Sequence, residues 1–225
     1  VFHVEHQFYA EWKRLRRVLK QRNNLLRRGK IGRPELEPWD NELELLVNSI
    51  TEKRQRYLAD LEPIVLSVLE VLWPEGMGLE LTLKPGWDNT LSYRDALIQS
   101  REQDVHLGYT VVGAHRADLK LKIRGQKVSD ILSRGQLKLL ASSLKLAQAK
   151  HLRQSVEKSC VILIDDLPAE LDGHRRQNLC DVLGDLDCQV VITCIDESTV
   201  GLRNIPPQEL RVFHVEHGKV VNHKV

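Results

Sequence analysis

Long apolar segments are missing from this 225-residue sequence. None approaches the ~18 residues that a membrane-spanning helix requires, and the opening VFHVEHQFYAEWKRLRR carries charge where a secretory signal has its apolar core. The four cysteines form no C-x-x-C pair, so neither a zinc site nor a disulfide framework is indicated. These absences predict a cytoplasmic protein with reduced thiols and no membrane partner.

A loop for nucleotide phosphates is also missing. No stretch fits G-x-x-x-x-G-K-[ST], in which backbone amides and a lysine hold the phosphates of a bound nucleotide. Gly29-Lys30 and Gly218-Lys219 both lack the glycine five positions earlier. The first residue is Val1 and not Met, from which we expect the true start of the chain to lie elsewhere.

The net charge is only +2, but its distribution along the chain is uneven. Residues 11–33 contain ten lysines and arginines and one acidic residue, and their apolar residues recur at helical spacing. Such a helix face suits the phosphates of a nucleic acid. It also fits a solvated face whose charges are matched by acidic residues in the segment 35–44. The stretch by itself leaves both interpretations open.

Hydrophobic spacing predicts that residues 1 to about 106 are mainly helical. A long helix begins at Glu42, and Pro63 is expected to kink or divide it. The alternating LELTLKP predicts a short strand, and YRDALIQSREQDVHL predicts another helix. Residues 1–110 are therefore predicted to form a helical arm.

The pattern changes after this arm. Apolar and basic residues alternate over residues 119–124 and Gly125 follows, which predicts a strand and a tight hairpin. The remaining predicted elements are a helix at 134–155, an apolar strand at 160–165, a helix at 174–183, an apolar strand at 188–195 and a final strand pair around RVFHVEHGKVV. This alternation predicts an α/β lobe over residues 111–225, with a largely parallel sheet.

The hexapeptide VFHVEH occurs twice, at residues 1–6 and again at residues 212–217. Its two histidines are three positions apart, so on a strand they point to opposite faces and cannot chelate one metal ion. We interpret the match as a chance similarity of two strand-like segments and assign no site to it.

Two acids follow an apolar strand in VILIDD, residues 161–166. Asp165 lies at the carboxyl end of the predicted strand, where parallel sheets place their ligands, and is a candidate ligand of Mg²⁺. Asp166 is a candidate general base that orients an attacking water. Taken alone, the pattern also fits a buried core strand that ends in two solvated acids.

The segment LSRGQ, residues 132–136, precedes a helical pattern. Ser133 and Gln136 have the spacing of a capping box, in which each side chain satisfies a free amide at the helix start. That explanation does not account for Gly135, which costs helix stability and lets a phosphate or a partner's backbone approach closely. Such a helix N-terminus is also a candidate anion site.

Together these two segments resemble the head domain of the ATP-binding cassette superfamily. L-S-[GR]-G-Q at a helix start is followed about 30 residues later by an apolar strand, two acids and x-E-L-D, which ends here at Asp172. LSRGQLKLL, LIDDLPAELD, the G-x-H-R-x-D-L before them, the basic arm and the ending VFHVEHGKV are similar to the RecF family of bacterial DNA replication and repair proteins. The resemblance spans nearly the whole chain.

The resemblance implies a fold and a set of ligands. The fold is the carboxyl-terminal lobe of an α/β P-loop ATPase head preceded by a helical arm, without the first lobe that carries the phosphate loop. The implied cofactors are ATP and Mg²⁺, with Asp165 at the metal and Asp166 in catalysis. The signature residues contact ATP held by the opposite subunit of a homodimer that forms on ATP binding: Ser133, Arg134, Gly135 and Gln136. Asp172 is expected at the same interface.

The resemblance also implies an ATP-dependent clamp on gapped or junction DNA, single- and double-stranded, in recombinational repair and the SOS response, with RecR and RecO as partners. It favours contacts from the basic helix to DNA phosphates through Lys13, Arg14, Arg16, Arg17, Lys20 and Arg27. His115 and Arg116 become candidate groups on the nucleotide or DNA side. Without a phosphate loop the chain alone should not hydrolyse ATP.

Two positions depart from the family pattern. Cys194 stands where many cassette ATPases have a histidine, and Asp166 replaces a longer glutamate, so we expect slow hydrolysis. A head of the chromosome-maintenance or Rad50 kind is an alternative, although the arm lacks the sustained heptads of a long coiled coil. A non-enzymatic DNA-binding or interaction module with vestigial nucleotide motifs is the alternative outside the enzymes.

Overall fold

The computed structural model describes residues 1–29, 32–158, 160–167, 171–201 and 205–224. The chain divides into two compact units by packing. Unit 1 comprises residues 1–66 with 76–132, and unit 2 comprises residues 67–75 with 133–225. Within the described ranges, no helix is both long and apolar enough to cross a membrane.

Three helices build most of unit 1: α1 (Phe8–Leu26), α2 (Arg33–Leu72) and α3 (Tyr93–Leu107). Their apolar stripes meet with Ala114 in one buried cluster, whose helical members are Phe8, Leu15, Val18, Leu19, Leu43, Leu46, Val47, Ile50, Tyr93 and Leu97. The predicted helical character of this region is confirmed. The expected division at Pro63 does not occur, since α2 continues through it as one helix of 40 residues.

An antiparallel sheet completes unit 1. Its order is β1 (Leu79–Lys84), β2 (Asp118–Ile123) and β3 (Gln126–Lys127), and the short helix α4 (Val128–Ile131) follows. Because β2 pairs along its whole length with β1, residues up to 132 pack with the preceding segment. The division by packing therefore differs from the boundary near residue 110 that the order of the predicted elements indicated.

Unit 2 contains the remaining elements: α5 (Arg134–Val156), β4 (Val161–Ile164), α6 (Gly173–Gly184), β5 (Gln189–Ile192), β6 (Val212–Glu216) and β7 (Lys219–Lys224). β4 and β5 pair in parallel, and β6 and β7 form an antiparallel hairpin. The end of α2 joins this unit, where Asn178 Nδ2 donates to the Val71 carbonyl at 2.8 Å. The predicted α/β order is confirmed, but among the described residues only one strand pair is parallel.

One face of the β4–β5 pair is exposed, which corrects the expectation of a fully buried strand. Leu163 is 75% exposed, and Val161 and Val191 on the same face are also exposed, whereas Ile162 and Val190 are partly buried. Parallel sheets are normally covered on both faces. In the part of the chain that the structure describes, nothing buries this second face.

The two VFHVEH copies adopt different conformations. Residues 212–216 form β6, as predicted. The first copy is a turn in which the amides of Val4 and Glu5 donate to the Val1 carbonyl at 3.1 and 2.9 Å, so the expectation of a strand there is wrong. Phe2 packs edge-on against Phe8 with ring centroids 4.8 Å apart. Local packing therefore decides the conformation of an identical sequence.

Candidate functional site

The signature segment, Ser133, Arg134, Gly135 and Gln136, lies at the start of α5. Ser133 Oγ accepts from the Gln136 amide at 3.3 Å, and the Ser133 amide donates to Gln136 Oε1 at 2.9 Å, which confirms the predicted capping box. The first three residues are exposed, and a Cβ added at Gly135 would meet none of the described atoms within 4 Å. The N-terminus of α5 is thus open to solvent, where the helix dipole favours an anion.

The aspartate pair, Asp165 and Asp166, follows β4 and is held by Thr193 on the neighbouring strand end. Thr193 Oγ1 donates to Asp165 Oδ1 at 2.6 Å and accepts from the Asp166 amide at 2.8 Å. The Thr193 backbone adds two bonds, from its amide to the Ile164 carbonyl at 2.9 Å and from the Leu167 amide to its carbonyl at 3.3 Å. Asp166 has a positive φ of 45°, a strained conformation that these bonds stabilise.

Thr193 was not singled out from the sequence, although a signal for it exists. Ile164 and Ile192 are register partners in the parallel pair, so Thr193 follows β5 as Asp165 follows β4. Thr193 directly follows one apolar strand, and Asp165 directly follows the strand paired with it. Once the two strands are paired in this register, a hydrogen bond from the threonine hydroxyl to the aspartate is predicted.

The aspartate pair fits the Mg²⁺ role that was predicted for Asp165. Thr193 occupies one oxygen of Asp165, and Oδ2 has no hydrogen bond from any residue that the structure describes. Mg²⁺ in phosphate sites commonly takes one or two carboxylates and completes its shell with water and phosphate oxygens. The described residues include no group of three or more metal-ligating side chains, so a cation at Asp165 would take its other ligands from water or from a nucleotide.

Asp172 caps α6. Its Oδ1 accepts from the Arg175 amide at 3.0 Å, and this hydrogen bond lowers the pKa of the exposed Asp172 carboxyl below its ordinary value. The cap gives the residue a structural role of its own, and its predicted interface role stays a prediction. The three residues before Leu171 in the same motif lie outside the described residues.

The basic side chains of α1 have different environments. Arg14 pairs with Glu42 at 2.6 Å, and Lys13 Nζ lies 4.1 Å from the centre of the Tyr9 ring. Arg17 is exposed. Arg16, Lys20 and Arg27 instead line a common cavity on one side of the helix. The predicted DNA-binding residues therefore separate into a cavity group and a group on the rest of the helix surface.

One arginine of this helix, Arg22, is completely buried. Its guanidinium donates to Asp40 at 2.7 Å, to Asp104 at 2.6 Å and to Thr110 Oγ1 at 2.8 Å. Burial by itself lowers the pKa of Arg22. The carboxylates of Asp40 and Asp104 together outweigh that effect, so the pKa of Arg22 lies above its ordinary value. The interpretation of a solvated face matched by acids of residues 35–44 holds for Arg14, which pairs with Glu42. Arg22 also pairs with an acid of that segment, Asp40, but is buried and not part of a solvated face.

Three further candidates lie at separate places. In unit 1, His115 Nε2 bonds the Thr110 carbonyl at 3.0 Å, and burial lowers the pKa of its imidazole. The Arg116 guanidinium lies 5.6 Å from the centre of the Tyr109 ring. In unit 2, Cys194 is exposed directly after Thr193.

The nucleotide motifs all belong to unit 2, and the cationic cavity belongs to unit 1. Within the described residues, no hydrogen bond or ion pair joins the signature segment to the aspartate pair or to Asp172. Each motif is therefore held by its own local bonds.

Comparison with known proteins identifies the relatives of the chain. The family described as the RecF/RecN/SMC N-terminal domain matches residues 10–220. The DNA replication and repair protein RecF of Cellvibrio japonicus is 45% identical over 223 residues, covering 98% of this chain and 60% of that protein. RecF of Pseudomonas paraeruginosa is 41% identical over 222 residues, covering 98% of this chain and 59% of that protein.

Two solved structures of the recombination mediator protein RecF are similar in fold. The form described as RecF-ATP gives a TM-score of 0.71 at 24% identity, covering 86% of this chain and 54% of that chain. The form described as RecF-ATPrS gives a TM-score of 0.70 at 23% identity, covering 86% of this chain and 55% of that chain. The chain thus has the mixed α/β fold of the RecF head and spans about 60% of the length of the relatives that it matches. It belongs to the RecF/RecN/SMC N-terminal domain family, and the predicted resemblance to RecF proteins is confirmed.

Proposed function

We propose that this chain is the DNA-binding arm and the trans-acting half of a RecF-type, ATP-dependent clamp. The observation that carries the proposal is the open start of α5, where Ser133 and Gly135 are exposed and the helix N-terminus has space for a phosphate. In a dimer, the signature segment would contact the phosphates of ATP held by the other subunit. This contact would make dimerisation depend on ATP.

In the proposed site, the aspartate pair would provide the metal ligand and the group that orients water. Asp165 would hold Mg²⁺ through its open oxygen, and Asp166 would orient the attacking water. The cation would neutralise charge on the phosphates of the bound nucleotide. Thr193 fixes the orientation of the Asp165 carboxylate and the backbone of Asp166, and the short Asp166 side chain favours slow turnover. Asp172 would face the dimer partner from the N-cap of α6.

The exposed face of β4 and β5 suits a lobe that carries the phosphate loop. Apolar side chains are released from water when a second layer covers such a face, at roughly 25 cal/mol per Å² buried. The matched relatives are longer than this chain, which spans about 60% of them. By resemblance, the additional length includes the lobe with the loop. Without it, the chain should neither grip nor hydrolyse ATP.

The basic helix α1 would bind the DNA backbone with little sequence preference and with strong dependence on salt. The proposed biological setting is recombinational repair and the SOS response in the cytoplasm, at gapped or junction DNA, with RecR and RecO as partners by family resemblance. The exposed cations Arg16, Arg17 and Lys20 support contact with phosphates, since they have no acidic partner among the described residues.

The experiment is ATP-driven dimerisation of the chain mixed with a separately made RecF-type N-terminal lobe, measured by analytical ultracentrifugation. Ser133→Asp keeps an N-cap side chain but sets a carboxylate against the phosphate, and Ser133→Arg fills the open space. Both substitutions should abolish dimerisation. Gln154→Arg adds a charge at the other, exposed end of α5 and is the matched control. Dimerisation that persists in both Ser133 variants would contradict the trans contact.

A non-enzymatic DNA-binding module is the second candidate, and Cys194 in place of a histidine favours it. A thiol is a poor hydrogen-bond donor to a γ-phosphate. In this alternative the mixture would bind DNA with the same affinity with or without ATP and Mg²⁺. An ATP-dependent gain in DNA affinity would exclude it.

A further inference from the structure

A cavity of about 390 Å³ opens on one side of α1 in unit 1. We call it the cationic pocket; the residues that matter for its chemistry are Trp12, Arg16, Lys20, Asn23, Arg27 and His115. All but His115 come from α1 or its C-cap. At about 100° per residue, the five α1 positions fall within an arc of about 80° on one side of the helix. A single face of α1 therefore builds most of the pocket.

The charge of the pocket is unbalanced. Among the described residues, Arg16, Lys20 and Arg27 make no ion pair with a carboxylate, and no acidic side chain lines the cavity. Three acids of unit 1 are engaged elsewhere, because Asp40 and Asp104 bind the buried Arg22 and Glu11 binds Lys53. Three cations without counter-ions around one cavity favour an anionic ligand.

Asn23 presents hydrogen-bond donors of fixed orientation. Its Oδ1 accepts from both the amide and the hydroxyl of Thr110, at 2.9 and 2.8 Å. A backbone amide can only donate, so this assignment of the Asn23 oxygen is unambiguous, and the Nδ2 group must point the other way. Nδ2 has no acceptor among the residues that the structure describes. Asn23 therefore has two fixed, unused donors beside three cations.

Thr110 also holds His115. In the neutral tautomer, His115 Nε2 donates to the Thr110 carbonyl at 3.0 Å. Thr110 therefore fixes the side chains of both Asn23 and His115 in the pocket wall. Trp12 and Leu19 add apolar surface to a cavity of about 390 Å³, which is roomier than a lone phosphate requires. The additional space and the apolar wall suit a sugar or base attached to the phosphate.

We propose that the cationic pocket binds one nucleotide unit of a nucleic-acid strand, with its phosphate between Arg16, Lys20 and Arg27 and accepting from Asn23 Nδ2. This inference rests on the proposed DNA binding of α1 and deepens it: affinity is concentrated in the pocket and is not shared evenly by the basic residues. Lys13, Arg14 and Arg17 do not line the cavity and contribute only long-range attraction.

The first test compares two triple variants of the full chain that each remove three positive charges. One is Arg16→Gln, Lys20→Gln and Arg27→Gln; the other is Lys13→Gln, Arg14→Gln and Arg17→Gln. Binding of a labelled single-stranded oligonucleotide is measured by fluorescence anisotropy at several salt concentrations. The pocket triple should lose at least about tenfold in affinity and lower the salt slope by about 0.7 per lost phosphate contact. The other triple should show a clearly smaller loss.

The second test changes the pocket by one group of the same size. Asn23→Asp keeps an oxygen acceptor for Thr110 but replaces the two donors by a carboxylate oxygen, so binding should fall strongly. Asn24→Asp, at the exposed neighbouring position, makes the same change of net charge and should weaken binding much less. Thermal unfolding verifies that each variant is folded. If a triple variant is not folded, the comparison of Asn23→Asp with Asn24→Asp tests the pocket.

Competition separates the possible sources of the phosphate. Unlabelled oligonucleotide should displace the probe at far lower nucleotide concentration than inorganic phosphate or a free mononucleotide. If inorganic phosphate competes equally well, the pocket is only a general anion site and the inference is overturned. Equal losses in both triples, with equal effects at Asn23 and Asn24, would overturn the pocket while leaving DNA binding by α1 intact. Unchanged binding in both triples would remove the proposed DNA-binding function of α1 itself.

Discussion

The sheets of unit 1 and unit 2 differ in how far their apolar side chains are covered. In unit 1, the buried Arg22 is matched by two carboxylates, and the strand residues Leu79 and Leu81 are buried. In unit 2, the β4–β5 pair leaves Leu163 exposed on an apolar face, and the aspartate pair at its end is also exposed. Unit 1 therefore buries the apolar residues of its strand β1, whereas unit 2 leaves one apolar face of its parallel strand pair uncovered by any described residue.

The largest effect is expected from breaking the buried ion network of unit 1. Arg22→Met leaves Asp104 buried without its cation, which should cost about 3–5 kcal/mol of unfolding free energy. Chemical denaturation of the full chain measures this cost. Arg17→Met, on the exposed side of the same helix, should change stability by less than about 0.5 kcal/mol. If Arg22→Met lowers the unfolding free energy no more than Arg17→Met does, the ion network does not stabilise unit 1.

Matched substitutions on the two sheets test the comparison directly. Leu79→Ala, in buried β1, should cost about 2–4 kcal/mol in the chain alone. Leu163→Ala, in β4, should cost less than about 0.5 kcal/mol because its side chain is already in water. In the mixture with a RecF-type N-terminal lobe, Leu163→Ala should weaken association. Two equal costs in the chain alone would refute the difference between the sheets.

A smaller effect is expected at Thr193. Thr193→Val removes the hydroxyl that bonds Asp165 and the Asp166 amide, and should cost about 0.5–1.5 kcal/mol. Hydrogen exchange at the Asp166 amide should accelerate, because its acceptor is lost. Thr193→Ser keeps the hydroxyl and should preserve the protection of this amide. Unchanged exchange in Thr193→Val would show that the hydroxyl does not fix the aspartate pair.

The smallest effect concerns the pH dependence of unit 1. Burial lowers the pKa of His115 below its ordinary value of 6.5, so the unfolded state binds a proton more readily than the folded state. Stability from this group is therefore present above pH 6.5 and is lost as the pH falls through the lowered value. When the pH is lowered from 7.5 to 5, the unfolding free energy measured by chemical denaturation should fall less in His115→Gln than in the unmodified chain. His106→Gln, at an exposed position, controls for removal of an imidazole.

Local patterns predicted the local structure well. The apolar spacing of α1, the alternation in β1 and the capping box at Ser133 each depend on neighbours within a few residues, and all three were confirmed. The family resemblance rested on the same kind of local motif and was confirmed by the comparisons.

Features that depend on tertiary contacts were not predictable in the same way. The first VFHVEH copy turns because Phe2 packs on Phe8, and Arg22 is buried because Asp40 and Asp104 surround it. The cationic pocket needs Thr110 beside Asn23, a contact between residues 87 positions apart. The exposure of β4 was missed because an apolar run predicts burial but does not specify what covers the strand.

Unit 2 is proposed to hold the trans-acting half of a nucleotide site, without the loop that cradles the phosphates. The most direct test is equilibrium binding of a fluorescent ATP analogue with Mg²⁺, to this chain alone and to the chain mixed with a separately made RecF-type N-terminal lobe. We expect no saturable binding to the chain alone and tight binding to the mixture. Tight binding to the chain alone would reveal a phosphate site within these 225 residues and would contradict the proposed division of the nucleotide site.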